Sequence, residues 1–522
     1  MRRLISSDAV VSGVGTLGDA IAIEDGLVAA VGSRADIERP GDDIVEFDGA
    51  FVTPGFRDTH IHAIPYAALL SGCSLKAATT MGDLIDRLST HARSVPSGYP
   101  IVAFRFDDES LAERRLPTRE DLDRAVPDRP AVVYRYCGHI AVANTKALTD
   151  SGIDTTRRNP EGGIIDRDAL GVPTGVLRET ATGLISSALA RGDVLAPDVL
   201  IDGMTRLAGL GITSIGAMIG YGESPFAKLE AESQLLRDVA AKLPLKVHAL
   251  SIASNPQDLT TSARVMTGAG PRLNWLGVKR FSDGSLGGHT AAMCDPFSDN
   301  DTTGTYRLTE SDIEVSRHSL SLGGMVAIHA IGDRAVGGVL DVFEDIVDAG
   351  ALPEDLRMEH VSVLSPKLLA RFARSGVTAV VQPAFLASES EWLEARVGEE
   401  RMEWVYPFRS MLEAGISVAG SSDCVVEPPH PLWGMAAAMD RHGINEAEAL
   451  SGIEALNLFT NGAVGAIREA EPLAVGSPAD LVVIDTDIRT ATAAEVHSAQ
   501  IIETFVDGEP VDVDRSLPTW VD

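Results

Sequence analysis

The sequence predicts an α/β protein: a (β/α)8 barrel (TIM barrel) with a small β-sandwich domain formed by both chain termini and an insertion over the barrel mouth. Three observations support this fold class. Apolar strands alternate with amphipathic helices through the middle of the chain, which is typical of βα units. Short alternating strands occur near both termini. One connection, at about 65–200, is too long for a single βα unit.

The β-sandwich domain is predicted from both ends of the chain. Residues 1–55 contain four short strands with turns between them, which is too little core to fold alone. Residues 470–522 contain two more strands, so we expect the two ends to complete one domain. The predicted strands are 8–11, 20–23, 27–31, 44–47, 479–485 and 501–510.

The barrel is predicted over residues 56–469. Eight apolar segments match its eight strands, and the active site of such a barrel lies at the C-terminal ends of the strands. The insertion at about 65–200 is expected to cover the mouth and to shape the substrate pocket. The candidate barrel strands are 52–56, 213–217, 245–251, 276–281, 325–329, 357–360, 378–382 and 417–420.

The composition limits the classes of partner. The chain has 44 Lys and Arg against 75 Asp and Glu, a formal net charge of −31, which argues against nucleic acid or an anionic membrane surface as a partner. No apolar run is long enough to span a bilayer and the N-terminus lacks a signal-peptide core, so we expect a cytoplasmic protein. Four cysteines without a C-x-x-C pair favour reduced thiols over disulfides or a cysteine zinc site.

Two histidines follow the first apolar segment, in the run Pro54-Gly-Phe-Arg-Asp-Thr-His60-Ile-His62. On a strand, residues i and i+2 point to the same face, so both imidazoles would be directed at one point. Imidazole binds borderline divalent metals, and such a pair makes half of a metal site. A bare H-x-H pair also occurs as surface or capping histidines, so the pattern needs support from the rest of the chain.

Four further polar residues fall at the ends of predicted strands: Lys279, His329, His360 and Asp423. Each alone has a structural interpretation, as a hydrogen-bonded histidine, a solvated lysine or a helix-capping aspartate. Together with the histidine pair, they occupy the strand ends where a barrel gathers its catalytic groups. This agreement predicts a metal centre.

Short motifs with characteristic residue patterns occur along essentially the whole chain. They are Pro54-Gly-Phe-Arg-Asp-Thr-His-Ile-His62, Leu116-Pro-Thr-Arg-Glu-Asp-Leu-Asp123, Pro127-Asp-Arg-Pro130, Gly138-His139, Pro160-Glu-Gly-Gly163, Pro173-Thr-Gly-Val-Leu-Arg-Glu179, Asp283-Gly-Ser-Leu286, His329-Ala-Ile-Gly-Asp333, Met358-Glu-His360, Ser422-Asp423 and Gly476-Ser-Pro-Ala-Asp480. With these motifs the sequence resembles the amidohydrolase superfamily of metal-dependent hydrolases, in the branch related to N-substituted formamide deformylase. Any one motif is weak, but the set is specific.

The resemblance implies a centre with one or two divalent metals, usually zinc. His60 and His62 correspond to ligands of the more buried metal, and His329 and His360 to ligands of the second. Asp423 corresponds to the aspartate of the eighth strand, which binds metal and transfers the proton.

The resemblance also implies a bridging group between the metals. Lys279 corresponds to the lysine that can be carbamylated in this superfamily, which converts an ammonium into a carboxylate able to bridge two metals. Glu179 is the alternative bridging carboxylate, and a helix-start or salt-bridge role for Glu179 also stays open.

Substrate contacts are expected from the insertion and the strand-end loops. His139 would polarise a substrate carbonyl, although a structural role for it stays open, and Glu179, Asp333 and Gln382 are further candidates. The branch commonly has Asp-Gly-His where this chain has Cys-Gly-His139, and Arg where His289 stands. These departures affect the expected substrate contacts rather than the metal centre.

The expected function is hydrolysis of a C–N bond in an amide, an N-substituted formamide or a cyclic amide. A metal would lower the pKa of bound water from about 15.7 toward about 7 and so supply hydroxide, and Asp423 would transfer the proton. An esterase, lactonase or deaminase on the same metal centre stays open, as does a non-catalytic binding protein. The expected partners are a small-molecule substrate and a second copy of the chain, since two-fold dimers are the commonest oligomers.

Overall fold

The computed structural model describes residues 2–95, 97–135, 140–160, 163–185, 195–220, 229–517 and 519–520, without the side chains of Ser71, Glu179 and Thr180. The chain divides into two units. The larger unit comprises residues 1–62, 204–219 and 236–517, and the smaller unit comprises residues 63–203, 220–235 and 518–522.

The strands are numbered in chain order. They are β1 (Arg3–Ser12), β2 (Gly15–Glu24), β3 (Leu27–Gly32), β4 (Asp43–Pro54), β5 (Phe56–Ile61), β6 (Cys73–Ser74), β7 (Ile101–Phe106), β8 (Ala131–Arg135), β9 (Ile140–Ala143), β10 (Gly163–Arg167), β11 (Pro173–Glu179), β12 (Ile212–Ile219), β13 (Lys246–Ser251), β14 (Leu273–Phe281), β15 (Met325–Ala330), β16 (Leu356–His360), β17 (Thr378–Val381), β18 (Val418–Gly420), β19 (Leu481–Ile484), β20 (Ile501–Val506) and β21 (Glu509–Pro510).

The α-helices are Arg34–Ile37, Ala63–Ser71, Met81–Ser94, Arg119–Ala125, Thr145–Asp150, Pro197–Gly209, Leu229–Val239, Pro256–Met266, Glu310–Ser321, Asp333–Asp348, Pro366–Ser375, Phe385–Glu389, Leu393–Val397, Phe408–Glu413, Pro431–Asp440, Gly452–Leu458, Val464–Ile467 and Ala493–Ser498. Short 3-10 helices are Thr180–Ile185, Ala240–Lys242, Pro353–Asp355, Glu399–Trp404, Arg441–Gly443, Glu446–Glu448 and Asn461–Ala463. None of the helices within the described ranges has the length and hydropathy that crossing a bilayer requires.

Eight parallel strands of the larger unit form one sheet in chain order, β5-β12-β13-β14-β15-β16-β17-β18. Its two ends are joined by backbone hydrogen bonds from Asp423 N to His60 O (2.9 Å) and from His62 N to Cys424 O (2.6 Å). β12 and β16 are buried along their whole length, as strands enclosed by helices outside and side chains inside must be. The sheet therefore closes on itself, and the predicted (β/α)8 barrel is confirmed.

The first barrel strand begins later than the sequence predicts. Residues 52–54 belong to β4, and β5 starts only at Phe56, so the prediction of a barrel strand at 52–56 is wrong. Gly55 separates the two strands, and a Cβ at this position would lie 2.2 Å from Thr213 Oγ1. The chain thus passes from one sheet to the next through a single residue whose lack of a side chain permits the close approach.

Strands from both termini share a seven-stranded sheet with the order β21-β20-β19-β4-β1-β2-β3. β4 joins the two ends, because it is parallel to β1 and antiparallel to β19. Val10, Val52 and Val483, from these three strands, pack in one apolar cluster. The two chain ends therefore pair as predicted, while the domain boundaries at residues 55 and 470 stay a prediction.

The smaller unit contains a six-stranded sheet with the order β10-β11-β9-β8-β7-β6. Val132 and Val133 of β8 belong to different apolar clusters, because successive side chains of a strand point to opposite faces. The predicted insertion therefore has a sheet and core of its own. Its expected position over the barrel mouth stays a prediction.

Candidate metal centre

His60 lies inside the barrel near the end of β5 and is 1% exposed. Its Nδ1 is 2.6 Å from Glu359 Oε2. Because an ionised carboxylate only accepts hydrogen bonds, Nδ1 carries the proton and Nε2 keeps its lone pair. This Nε2 is 3.3 Å from Asp423 Oδ1 and 3.4 Å from Lys279 Nζ. The ring thus presents a potential metal-binding nitrogen to those two groups.

Asp423 follows β18, at the point where the barrel closes against β5. Its backbone N–H donates to His60 O (2.9 Å). Its Oδ1 is 3.3 Å from His60 Nε2 and also 3.3 Å from His62 Nε2. One carboxylate oxygen therefore lies close to both histidines of the H-x-H pair, whose imidazoles converge as the i, i+2 spacing predicts.

His360 ends β16, and its ring centroid is 5.1 Å from that of His60. Its Nδ1 is 2.8 Å from Gln382 Oε1. The Gln382 amide is oriented by Ser421, whose hydroxyl donates to Val381 O (3.0 Å) and accepts from Gln382 Nε2 (2.9 Å). His360 Nδ1 is therefore a donor to Gln382, and the lone pair remains on Nε2.

The ligand atoms of His60, His360 and Asp423 all lie within 4.8 Å of one another, and all three residues are buried. Two imidazole nitrogens and a carboxylate oxygen are donors that zinc and similar divalent metals accept. Both rings have Nδ1 bonded to a protein acceptor, an arrangement that usually accompanies metal binding through the other nitrogen. The residues present fit a divalent metal.

Lys279 of β14 is 1% exposed, and its Nζ lies 4.7 Å from the centroid of the Phe281 ring. Burial lowers the pKa of this amine to about 8, an effect that the negative charges of Glu359 and Asp423 oppose only in part. A fraction of the amine is therefore uncharged near neutral pH, which is unusual for a lysine.

His329, near the end of β15, lies beside His360, with ring centroids 4.4 Å apart. Its Nε2 is 2.9 Å from Gly284 O and 3.2 Å from Asp283 Oδ1, so Nε2 donates and Nδ1 keeps the lone pair. The Asp283 carboxylate also accepts hydrogen bonds from three backbone N–H groups, those of Ala292, Ile331 and Gly332. Asp283 thus orients His329 and ties together the loops that follow β14 and β15.

Burial and nearby charges set the protonation states of the cluster. Burial, with the positive charge of Lys279, lowers the pKa of His60 to about 4, so this ring is neutral near pH 7. Burial alone would raise the pKa of Asp423, but His60 and His62 outweigh it and hold that pKa well below its usual range. Neutral imidazole and ionised carboxylate are the forms that bind a metal.

Sequence reasoning missed two buried ions next to the centre, Arg357 and Glu359. The two residues are two positions apart on β16, and both are 0% exposed. Arg357 Nε is 2.6 Å from Glu359 Oε1. Burial raises the pKa of Glu359, but Arg357 and His60 outweigh it and keep the carboxylate ionised. The available signal was the pair of charged residues at i, i+2 just before His360, because two residues at this spacing point to the same face of the strand. Asp283, which orients His329, was also missed as a site residue.

The six predicted metal ligands lie in one cluster of the larger unit. Of the four predicted substrate contacts, the structure describes the side chains of Asp333 and Gln382. Asp333 begins the helix Asp333–Asp348 and accepts from Cys294 N (2.8 Å). Gln382 is buried. Its amide oxygen accepts from His360 Nδ1 and its amide nitrogen donates to Ser421 Oγ. Glu179 ends β11 in the smaller unit and its side chain is not described, and His139 lies outside the described residues. Their substrate roles stay predictions.

Comparison with known proteins gives consistent matches over nearly the whole chain. The model of the amidohydrolase family matches residues 43–512. The Bacillus subtilis protein YtcJ is 29% identical over 517 residues, which cover 94% of this chain and 96% of YtcJ. N-substituted formamide deformylase from Arthrobacter pascens is 28% identical over 94% of either chain.

A solved structure also matches. An uncharacterized metal-dependent hydrolase from Pyrococcus horikoshii is 29% identical, with a TM-score of 0.78, and the match covers 95% of this chain and 99% of that one. The resemblance inferred from the motifs is therefore confirmed. The chain belongs to the amidohydrolase family.

Proposed function

We propose that the protein is a metal-dependent hydrolase that cleaves a C–N bond in an amide, an N-substituted formamide or a cyclic amide. The observation that carries the proposal is the convergence of His60, His360 and Asp423, whose ligand atoms lie within 4.8 Å of one another. They lie at the C-terminal side of barrel strands, where this fold builds its active sites. The family membership and the 28% identity with N-substituted formamide deformylase support the choice of bond.

His60, His360 and Asp423 would hold one divalent metal. His62 lies beside Asp423, and His329 lies beside His360, so both are further candidate ligands. Zinc is the proposed metal, because it accepts mixed imidazole and carboxylate ligands. A divalent metal bound there lowers the pKa of a water molecule from about 15.7 toward about 7 and so supplies hydroxide near neutral pH.

Asp423 would transfer the proton. Its carboxylate would accept a proton from the attacking water and return that proton to the departing nitrogen. The nitrogen must be protonated to leave, because an amide anion is a very poor leaving group. His60 and His62, each 3.3 Å from Asp423 Oδ1, would hold the carboxylate in place.

Lys279 would act as a carbamate. An ammonium 3.4 Å from His60 Nε2 would repel a cation at that nitrogen. The ammonium first loses one proton. The neutral amine then attacks carbon dioxide: a C–N bond forms, one C=O π bond opens to give the carboxylate oxygen, and the nitrogen releases a second proton, so an anion replaces the cation. Native mass spectra of protein prepared with bicarbonate should show the mass of one added carbon dioxide. Its absence, together with undiminished activity of Lys279→Ala, would exclude the carbamate.

A substrate panel tests the reaction. Zinc-loaded protein would be assayed with N-substituted formamides, other amides, cyclic amides, esters, lactones and aminated rings. We expect turnover of the first three classes, with release of the free amine or ring-opened product. Faster turnover of esters or lactones, or release of ammonia from the aminated rings, would assign the reaction to a different bond. Absence of both turnover and metal binding would point to a non-catalytic protein.

A further inference from the structure

Two buried ions on β16 are bonded to each other and to His60. Glu359 Oε2 lies 2.6 Å from His60 Nδ1. Arg357 binds the same carboxylate at two points, through Nε to Oε1 (2.6 Å) and through Nη2 to Oε2 (3.0 Å). Both side chains are 0% exposed, so bulk water does not compete for these bonds, and the two-point geometry fixes the orientation of the carboxylate.

Arg357 also binds the backbone of the strand that carries His60. Its Nη2 donates to Thr59 O (2.7 Å), the residue immediately before His60. Its Nη1 donates to Ala466 O (2.7 Å), at the end of a neighbouring helix. The same guanidinium therefore locates both the backbone next to His60 and the carboxylate that contacts the His60 ring.

We propose that Glu359, held by Arg357, is a positioning residue that keeps the proton of His60 on Nδ1 and so presents Nε2 to the metal. The inference rests on the proposed metal site and is independent of which bond is cleaved. Without the carboxylate, either ring nitrogen of His60 can carry the proton, and the ring loses its fixed orientation. Outer partners of this kind typically change metal affinity by about 10- to 100-fold.

Glu359→Gln removes the charge but keeps the size of the side chain. Arg357 offers only donors, and it contacts both carboxylate oxygens. In either orientation of the glutamine, its amide N–H₂ therefore meets an N–H group of Arg357. In one orientation the amide also donates to His60 Nδ1, which moves the ring proton to Nε2, the nitrogen proposed for the metal.

The chain contains a second Arg–Glu–His arrangement, in which Arg57 and His248 are buried and the Glu469 side chain is 10% exposed, and it serves as a matched control. Glu469 Oε1 lies 2.8 Å from His248 Nε2, and Arg57 Nε lies 2.8 Å from Glu469 Oε2. Arg57 and His248 occupy early positions of β5 and β13, whereas the candidate ligands lie at the C-terminal side. Glu469→Gln thus shows how removing the charge of a glutamate that is bonded to an arginine and a histidine affects this protein in general.

Zinc affinity is the first readout. It would be measured on metal-free protein by competition with a chromogenic chelator, for the wild type, Glu359→Gln and Glu469→Gln. We expect an affinity lower by about 10- to 100-fold for Glu359→Gln and an unchanged affinity for Glu469→Gln. Equal affinity of Glu359→Gln and the wild type would overturn the proposal, as would an equal loss in both variants.

The tautomer of His60 is the second readout. Its measurement in the wild-type protein tests the proposal without a Glu359 variant. Nitrogen NMR of histidine-labelled, metal-free wild-type protein, assigned with His60→Gln, should show the His60 proton on Nδ1. In Glu359→Gln, the form protonated on Nε2 should increase. A wild-type His60 protonated on Nε2 would overturn the proposal even if Glu359→Gln fails to fold.

The two proposals fail in different ways. A wild-type protein that binds no zinc would overturn the metal site and, with it, the positioning role. A wild-type protein that binds zinc and hydrolyses its substrate, with affinity and tautomer unchanged in Glu359→Gln, would overturn only the positioning role.

Discussion

Two of the candidate ligands adopt a backbone conformation that L residues rarely take. His360 has φ +74° and Asp423 has φ +53°, and such positions cost on the order of 1–3 kcal/mol each. Asp423 is held there by its own N–H bond to His60 O (2.9 Å). A strained backbone persists only where the surrounding structure holds it in place. Such strain is concentrated at functional sites, as expected if the protein needs these two side chains at these positions.

Asp423→Asn tests the proton transfer at this position. Asparagine tolerates the left-handed conformation as aspartate does and keeps the size of the side chain. It cannot accept the proton, so we expect kcat to fall by about 10²- to 10⁴-fold. Elemental analysis should show that the variant still contains metal. A metal-loaded variant that hydrolyses substrate at the wild-type rate would show that another group transfers the proton.

Glu232 is a buried carboxyl outside the candidate centre whose charge should oppose folding. It is 2% exposed, and within the described part of the chain its Oε1 has no hydrogen-bond partner. Burial raises its pKa to about 8, above the value of about 4.3 expected in the unfolded chain. Between these values the unfolded chain ionises while the folded protein stays protonated, so stability is lost as the pH rises from about 4.3 to about 8.

Glu232→Gln should therefore stabilise the protein at pH 8 and leave its stability nearly unchanged at pH 4. The expected gain at pH 8 is on the order of 1–4 kcal/mol in the free energy of unfolding, measured by denaturant titration at both pH values. Glu230→Gln, on the same helix but exposed, is the control and should change little. A gain of equal size at both pH values would contradict the role of ionisation.

At the scale of elements, the boundary between β4 and β5 depends on Gly55. Thr213 is 0% exposed, and a Cβ on residue 55 would meet its side chain at 2.2 Å. Because Thr213 is β-branched and buried, it has little freedom to move away. The junction between the terminal sheet and the barrel therefore has no room for a side chain.

Gly55→Ala should destabilise the protein by about 1–3 kcal/mol, the usual cost of overpacking a buried site. The change is measured as a lower midpoint of thermal or denaturant unfolding. Gly465→Ala is the matched control, since a Cβ there meets no atom within 4 Å, and it should be neutral or slightly stabilising. An unchanged midpoint for Gly55→Ala would mean that β4 and β5 can separate at this point without cost.

The apolar pattern predicts the other barrel strands to within a few residues. It fails at the first strand, because Phe51, Val52 and Phe56 form one apolar run on both sides of Pro54-Gly55. Hydrophobic periodicity reports burial but not the sheet in which a residue is buried. Val52 of β4 pairs with Val483 of β19, which is far away in the sequence. This pairing places residues 51–54 in the terminal sheet rather than in the barrel.

At the scale of the whole molecule, metal binding should stabilise the fold. The candidate ligands come from strands distributed around the barrel, and a metal that binds only the folded state adds to the free energy of unfolding. The gain is about 2.7 kcal/mol when free metal is 100 times the dissociation constant. Removal of metal with a chelator should lower the melting temperature, and added zinc should restore it. Equal melting temperatures with and without zinc would contradict a site built by these ligands.

The sequence by itself determined the barrel class, the family and the positions of the candidate ligands at strand ends. These properties depend on local patterns: the spacing of apolar residues, the short motifs, and the distance of a polar residue from the end of its strand. The convergence of His60 and His62 is also local, since it follows from the two-residue period of a strand.

Only the tertiary structure decided which ligands meet and which ring nitrogens they offer. His60 joins His360 and Asp423 because closure of the barrel brings together strands that are far apart in the chain. Glu359 and Gln382 select Nε2 of the two rings by accepting from Nδ1. The direction of a hydrogen bond depends on the partner across the barrel, and no local sequence pattern contains that partner.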